Sequence, residues 1–218
     1  MNHSINPEWM NQMQQCKQAW SAQNEKERNQ TGSPLPPSRM IRAMEQTIDA
    51  NAIVALDEGD FTLWFLRNFR PNNQHVLLSE RWRTMGFGLP AAMAAKLCSP
   101  QKQVVCLTGD GGLGMVLADL VTAARYQLSI TVIVFNNGTL QMERDKMAMK
   151  GLRPEGTKLT NPDFAKTAEA CGWNSYRIES VEQMEQALAR SKTTTLPVLL
   201  DVLTAQIPHP DFPSHEFA

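Results

Sequence analysis

VVCLTGDGGLGM at residues 104–115 and TVIVFNNGTL at residues 131–140 decide how this chain folds. Each is an apolar, β-branched run that breaks abruptly into Gly, Asp or Asn. The first predicts a strand over Gln103–Leu107 running into Gly109-Asp110-Gly111-Gly112. The second predicts a strand over Ile130–Phe135 running into Asn136-Asn137-Gly138-Thr139. Between Gly111 and Asn136 lie 24 residues, and a helix is expected over Leu113–Tyr126. Uniformly apolar strands joined by a helix imply a parallel sheet covered on both faces. Parallel strands end side by side, so both polar segments reach the same edge, where open α/β sheets bind ligands.

The same alternation extends outward. Strands are expected at Ala52–Leu56, Val76–Leu78, Ser175–Ile178 and Pro197–Val202. Helices are expected at Arg39–Ile48, with Ser38 at its start, and at Asp60–Phe69, Gly86–Leu97, Asp163–Cys171 and Val181–Ser191. A long polar loop is expected from the NNGT segment to about Pro162. The fold class that follows is α/β, a three-layer αβα sandwich with a mostly parallel sheet. Residues 6–27 predict a separate N-terminal helix, with Trp9, Met13, Cys16 and Trp20 forming a narrow apolar stripe. It either docks on its own domain or serves as a connector from a preceding one. NQTGSPLPP at 29–37 reads as a linker. The expected division is a connector helix and linker over 1–36 and one domain over 37–218.

The chemistry of the two polar segments agrees. Glycines let backbone N–H groups approach phosphate oxygens closely, and the helix after Gly112 adds a positive dipole end. Asp110 supplies an anionic oxygen, Asn137 an amide oxygen, and a backbone carbonyl near Thr139 a third. Mg2+ takes such hard oxygen ligands, with phosphates and water completing its shell. Either segment alone is ordinary turn chemistry; two of them, each after a strand and one helix apart, point to an anion and metal site. The loop is expected to be exposed.

Composition excludes several other classes. The formal net charge of -1 gives no field to attract nucleic acid or an anionic membrane. No apolar stretch is long enough to span a bilayer, and the Asn/Gln-rich start lacks a signal core. Cys16, Cys98, Cys106 and Cys171 form no CxxC pair; with Cys106 in an apolar run and Cys98 near the end of an apolar helix, buried free thiols in a reducing cytoplasm are expected.

The segments TMGFGLPAAMAAKL at 84–97, TGDGG at 108–112, VIVFNNGTL at 132–140 and NPDFAKTAEACGW at 161–173 resemble the thiamine-diphosphate (ThDP) enzyme family. Within it they are most similar to the group of pyruvate oxidase, acetolactate synthase and benzoylformate decarboxylase. The resemblance covers roughly residues 37–204. It implies that Asp110, Asn137 and the Thr139 carbonyl hold Mg2+, with Gly109, Gly111, Gly112 and Asn137 along the diphosphate. The loop Glu58-Gly59-Asp60-Phe61 matches the family segment closing over the diphosphate, and also reads as a plain strand-to-helix turn. Met85 matches the bulky residue beneath the thiazolium that bends the cofactor; a core methionine is the bland alternative. The helix 6–27 is similar to the connector leaving that group's middle domain.

Three departures stand beside the resemblance. The family's glycine-rich approach to Met85 is here Glu80-Arg81-Trp82-Arg83-Thr84, where charged side chains crowd or reshape the pocket. Gln141 and Glu143 stand where relatives often carry small or apolar residues. The family glutamate that hydrogen-bonds the aminopyrimidine and activates C2 belongs to a separate pyrimidine-binding domain, absent from these residues, as is the middle domain that carries FAD in the oxidases. The implied function is the diphosphate- and Mg-binding part of an enzyme converting pyruvate or a similar 2-oxo acid, inactive alone. Its implied partner is a pyrimidine-binding domain or subunit, in a homo- or hetero-oligomer. The alternatives are a non-catalytic module binding ThDP or a partner, and a generic doubly wound nucleotide binder; no GxxxxGK[ST] loop supports the last.

Overall fold

A computed structural model describes residues 6–208; residues 1–5 and 209–218, the outer ends of the two expected units, lie outside the described residues. Helix α1 (Pro7–Arg28) and helix α2 (Pro37–Thr47) lead into strand β1 (Ile53–Leu56), helix α3 (Asp60–Asn68) and strand β2 (His75–Leu78). Helix α4 (Gly88–Cys98) and strand β3 (Val104–Gly109) follow, then helices α5 (Asp110–Met115) and α6 (Asp119–Arg125) and strand β4 (Thr131–Asn136). Helices α7 (Gln141–Met149) and α8 (Phe164–Ala170), strand β5 (Asn174–Ile178), helix α9 (Val181–Ser191) and strand β6 (Val198–Leu203) complete the order.

All six strands are parallel, in the order β2-β1-β3-β4-β6-β5. Successive strand residues feed opposite cores. Val54, Leu56, Val105, Leu107, Ile133 and Phe135 pack with residues of α2, α3 and α9. Ile53, Ala55, Val104, Cys106, Val132 and Val134 pack with residues of α4, α5, α6 and α8. The central strands β1, β3 and β4 are therefore apolar on both faces, as a sheet between two helical layers requires. Cys106 is buried in it, whereas Cys98, at the end of α4, is exposed.

The single helix expected over Leu113–Tyr126 is broken between Met115 and Asp119. Gly111, Gly112 and Gly114 crowd the first piece, and glycine is a poor helix former. Val116 N–H bonds back to the Leu113 carbonyl and Asp119 N–H to the Val116 carbonyl, tightening the break into turns. The polar loop expected up to Pro162 contains a helix, α7. Its lack of an apolar stripe hides it from periodicity; Gln141 donates to Asp145 at 2.7 Å, one turn on.

Ser38 does not begin α2. The helix starts at Pro37, and the Ser38 hydroxyl donates to the Glu27 carbonyl at 2.8 Å, tying α2 to the end of α1. The second half of the linker is anchored too: Leu35 is buried and exchanges backbone hydrogen bonds with the strand end at Leu203 and Ala205. Helix α1 docks through its polar last turns, where Glu27 meets Arg67 and Arg28 meets Glu45. The start of its apolar stripe is uncovered, with Trp9 58% exposed. No helix among the described residues is long and apolar enough to cross a membrane.

Candidate functional site

Strands β1, β3 and β4 deliver Glu58–Phe61, Gly109–Gly112 and Asn136–Thr139 to one edge of the sheet. β1 and β3 are neighbours whose chain connections leave in opposite directions, the switch point at which such sheets open a crevice. A cavity of about 670 Å³ lies there. Gly59, Asp60, Phe61, Met85, Gly109, Asp110, Gly111, Gly112, Asn137 and Thr139 line it.

Asp110 is the hub. Its Oδ1 accepts from Gly111 N–H at 2.9 Å, and its Oδ2 accepts from Gly138 N–H and Asn161 Nδ2, each at 2.7 Å. These bonds join the two loops, and they bury the carboxylate to 4% exposure, contrary to the expected exposed loop. Burial pushes the Asp110 carboxyl above its ordinary value, against the pull of those donors. No lysine or arginine pairs with it among the described residues. A buried, donor-held carboxylate without a basic partner suits a cation ligand. Asn137 Oδ1 accepts from Thr139 N–H and the Thr139 carbonyl from Gln141 N–H, each retaining a lone pair. Among the described residues no three His, Cys, Asp or Glu could hold a metal by themselves. One carboxylate with neutral oxygens fits a hard cation that shares its shell with phosphate.

Asn136 and Asn137 divide the work. Asn137 lines the cavity, whereas Asn136 turns inward, donating to Asp201 Oδ1 at 2.8 Å and accepting from Asn161 at 3.0 Å. Arg177 in turn pairs with the fully buried Asp201. Neither Asn161 nor Asp201 was singled out in the sequence. The visible signal was a charged residue inside the apolar run PVLLDVL.

Two glycines are fixed by their neighbours. A Cβ on Gly112 would lie 2.7 Å from Asp57 Oδ2 and 3.0 Å from Thr108 Oγ1. One on Gly111 would meet Leu140 at 2.9 Å and the Met85 methyl at 3.0 Å. Met85, half-buried, therefore leans on the GDG turn from the cavity side. Asp57 is the other residue the sequence left unmarked. Its carboxylate accepts from Thr108 Oγ1, Glu58 N–H and Phe87 N–H, so it joins the ends of β1 and β3 to the start of α4.

Phe61 stacks on Phe135, with ring centres 5.2 Å apart, and forms a wall beside Gly109. Asp60 opens α3 and accepts from Trp64 Nε1 at 3.0 Å. Burial, reinforced by the Asp145 carboxylate, pushes its acid form up to about 7, and the Trp64 N–H only partly opposes this. The folded chain therefore binds a proton that the unfolded chain releases. The associated stability is fully present below the ordinary carboxylate range and is lost as pH rises towards 7. Asp60→Asn should be more stable than the parent at pH 8, by on the order of 2–4 kcal/mol, and the gap should close towards pH 4. Urea midpoints measured across this range check it; a gap that does not change with pH counts against the assignment.

Of the charged run before Met85, Glu80 and Arg81 are exposed and Trp82 is 86% exposed. Only Arg83 lines the cavity, paired with Glu58 at 3.1 Å. Glu143 is exposed and pairs with Lys146, while Gln141 is buried.

Gly109, Gly111 and Gly114 also satisfy the G-x-G-x-x-G spacing of dinucleotide-binding loops. In that motif the third glycine permits close helix–strand packing. Here a Cβ on Gly114 would meet nothing within 4 Å, and β4 ends on asparagines rather than on a ribose-binding acid. The spacing is incidental.

The family described as thiamine pyrophosphate enzyme, C-terminal TPP binding domain, matches residues 57–202. A Bacillus subtilis protein whose name describes it as thiamine pyrophosphate-containing is 34% identical over 201 residues, 92% of this chain and 35% of that protein. Pyruvate oxidase of Lactiplantibacillus plantarum is 33% identical over 185 residues, 81% of this chain and 30% of that protein. The structure is similar to a thiamine diphosphate-dependent 4-hydroxybenzoylformate decarboxylase of Rhodococcus jostii, with a TM-score of 0.73 and 25% identity, covering 80% of this chain and 33% of that one. This chain spans about a third of the length of the relatives it matches. With the cavity, the fold and the matched residues in agreement, the chain belongs to the thiamine pyrophosphate enzyme family and carries its C-terminal TPP-binding domain.

Proposed function

We propose that this chain is the diphosphate- and Mg2+-binding part of a ThDP-dependent enzyme that acts on pyruvate or a similar 2-oxo acid, of the pyruvate oxidase or acetolactate synthase type. The observation that carries the reading is the junction of the GDG and NNGT loops at Asp110, beside Met85, in one cavity. Asp110, Asn137 and the Thr139 carbonyl would hold Mg2+. Gly109, Gly111, Gly112, Asn137 and the Gly59–Phe61 turn would line the diphosphate, and Met85 would support the thiazolium. When bound, ThDP supplies a carbon nucleophile that attacks the 2-oxo group. This chain's residues would hold the diphosphate and orient the ring.

Residues 1–36 would act as connector and linker, and 37–218 as the binding domain. The activating glutamate would come from a pyrimidine-binding domain or subunit outside these residues, in a cytoplasmic homo- or hetero-oligomer; FAD would enter only with a middle domain. The 218-residue chain alone should therefore bind ThDP with Mg2+ yet release CO2 from pyruvate no faster than buffer. Calorimetry with ThDP and Mg2+, followed by a CO2-release assay, tests both halves. Absence of binding removes the reading. Robust turnover means that an acid within the chain replaces the missing glutamate, with Glu58, Glu80 and Glu143 the first to mutate.

A further inference from the structure

Five carboxylates line the cavity, Glu58, Asp60, Asp110, Glu143 and Asp145, against two bases, Arg83 and Lys146. A diphosphate would meet a net negative wall. Lys146 offsets Glu143 at the rim, at 2.9 Å. Asp60 is disposed to hold a proton, and Asp110 faces the proposed metal. Glu58 remains. It is 6% exposed, and the guanidinium of Arg83 is the basic group that reaches it, Nε at 3.1 and 3.2 Å from its two oxygens and Nη2 at 3.1 Å.

Arg83 occupies this place against its backbone preference. Its φ of 50 lies in the left-handed region, which is strained for a residue with a Cβ and free for glycine. Such a conformation persists where the surroundings over-determine it. Its side chain is half in solvent, 51% exposed, and its guanidinium contact is the pair with Glu58.

We infer that Arg83 is a charge-neutralising residue of the cofactor cavity: it cancels Glu58 so that an anionic diphosphate can enter beside α3. This rests on the diphosphate-binding reading above. The Nε–Nη2 edge of the guanidinium is already engaged by Glu58, so Arg83 acts through that carboxylate rather than by gripping phosphate itself.

The test is a double-mutant cycle on the full chain, titrated calorimetrically with inorganic pyrophosphate in the presence of Mg2+ at fixed ionic strength. Arg83→Gly removes the cation, which strands the Glu58 carboxylate, and relieves the strained φ, two effects of opposite sign on Tm; its pyrophosphate affinity should drop about tenfold through the uncancelled Glu58 charge. Glu58→Gln alone should bind more tightly than the parent. The Glu58→Gln/Arg83→Gly pair should recover to within about threefold of the parent, because the repulsive charge has gone. Equal weakness of Arg83→Gly and the double variant would mean direct phosphate contact and overturn the inference. So would an unchanged affinity with a lowered Tm, the signature of a structural tie. A parent chain that binds Mg-pyrophosphate but not ThDP removes the thiamine reading and leaves this one standing; a parent that binds neither removes both.

Discussion

Replacing Asp110 by alanine should abolish measurable Mg2+-dependent ThDP binding, a fall of at least about a hundredfold, since the lost ligand is charged and faces a charged diphosphate. The variant loses the carboxylate proposed to face the metal and the acceptor that joins Gly111, Gly138 and Asn161. Those three N–H groups are then left to water in the cavity, so stability should also fall, by about 2–4 kcal/mol. That is a large share of the roughly 5–15 kcal/mol typical of a domain, but not all of it. The two effects separate experimentally. A thermal melt reads the loop junction, and calorimetry with ThDP reads the metal ligand. Affinity for ThDP that is unchanged in the folded variant removes Asp110 from the proposed ligand set. Metal affinity in the parent should also weaken on acidification, because burial raises the Asp110 carboxyl and a proton then competes with the cation.

The convergence of the two loops could be read from the sequence because it depends on local features. An apolar run of five or six residues followed at once by Gly-Asp-Gly or Asn-Asn-Gly fixes both the strand and the edge on which its end must lie. The burial of Asp110 could not be read in that way. It depends on Gly138 and Asn161, which lie 28 and 51 residues further along the chain and meet Asp110 only once the sheet has formed. Asp57 was hidden for a similar reason, because Thr108 reaches it from 51 residues away. Helix α7 lacks an apolar stripe, and periodicity had nothing to detect. The break between α5 and α6 was visible in principle in three glycines within four residues, but the apolar run after them argued for continuity. At α1 the apolar stripe drew attention to the wrong end of the helix: the structure docks the polar end.

That polar end is expected to carry much of the stability of the α1–α3 contact. Glu27→Ala should destabilise the chain by about 3–5 kcal/mol, the range for removing one partner of a buried ion pair. Glu27 is 2% exposed and takes Arg67 Nε at 2.7 Å and Nη2 at 2.8 Å; Gln23 donates to it as well. Burial raises the Glu27 carboxyl, but the hydrogen bonds from Arg67 and Gln23 outweigh it and hold the group below its ordinary range. The stability it contributes is therefore present above the usual carboxylate range and is lost as pH falls through the lowered value. Without Glu27, the Arg67 guanidinium is left buried over the Trp20 ring, 4.2 Å from its centre, with Nη1 already lacking a hydrogen-bond partner among the described residues. The cost comes mainly from this stranded charge, so a cycle should be strongly non-additive: Glu27→Met with Arg67→Met should be less harmful than the sum of the two single changes. Urea unfolding of the four chains measures it, and additive losses would show that the pair is not coupled. Arg67 lies near the C-terminal end of α3, and Asp60 and Phe61 at its other end wall the cavity. Loosening the pair should therefore weaken ThDP binding together with stability, which links a helix remote from the proposed metal ligands to the placement of the diphosphate.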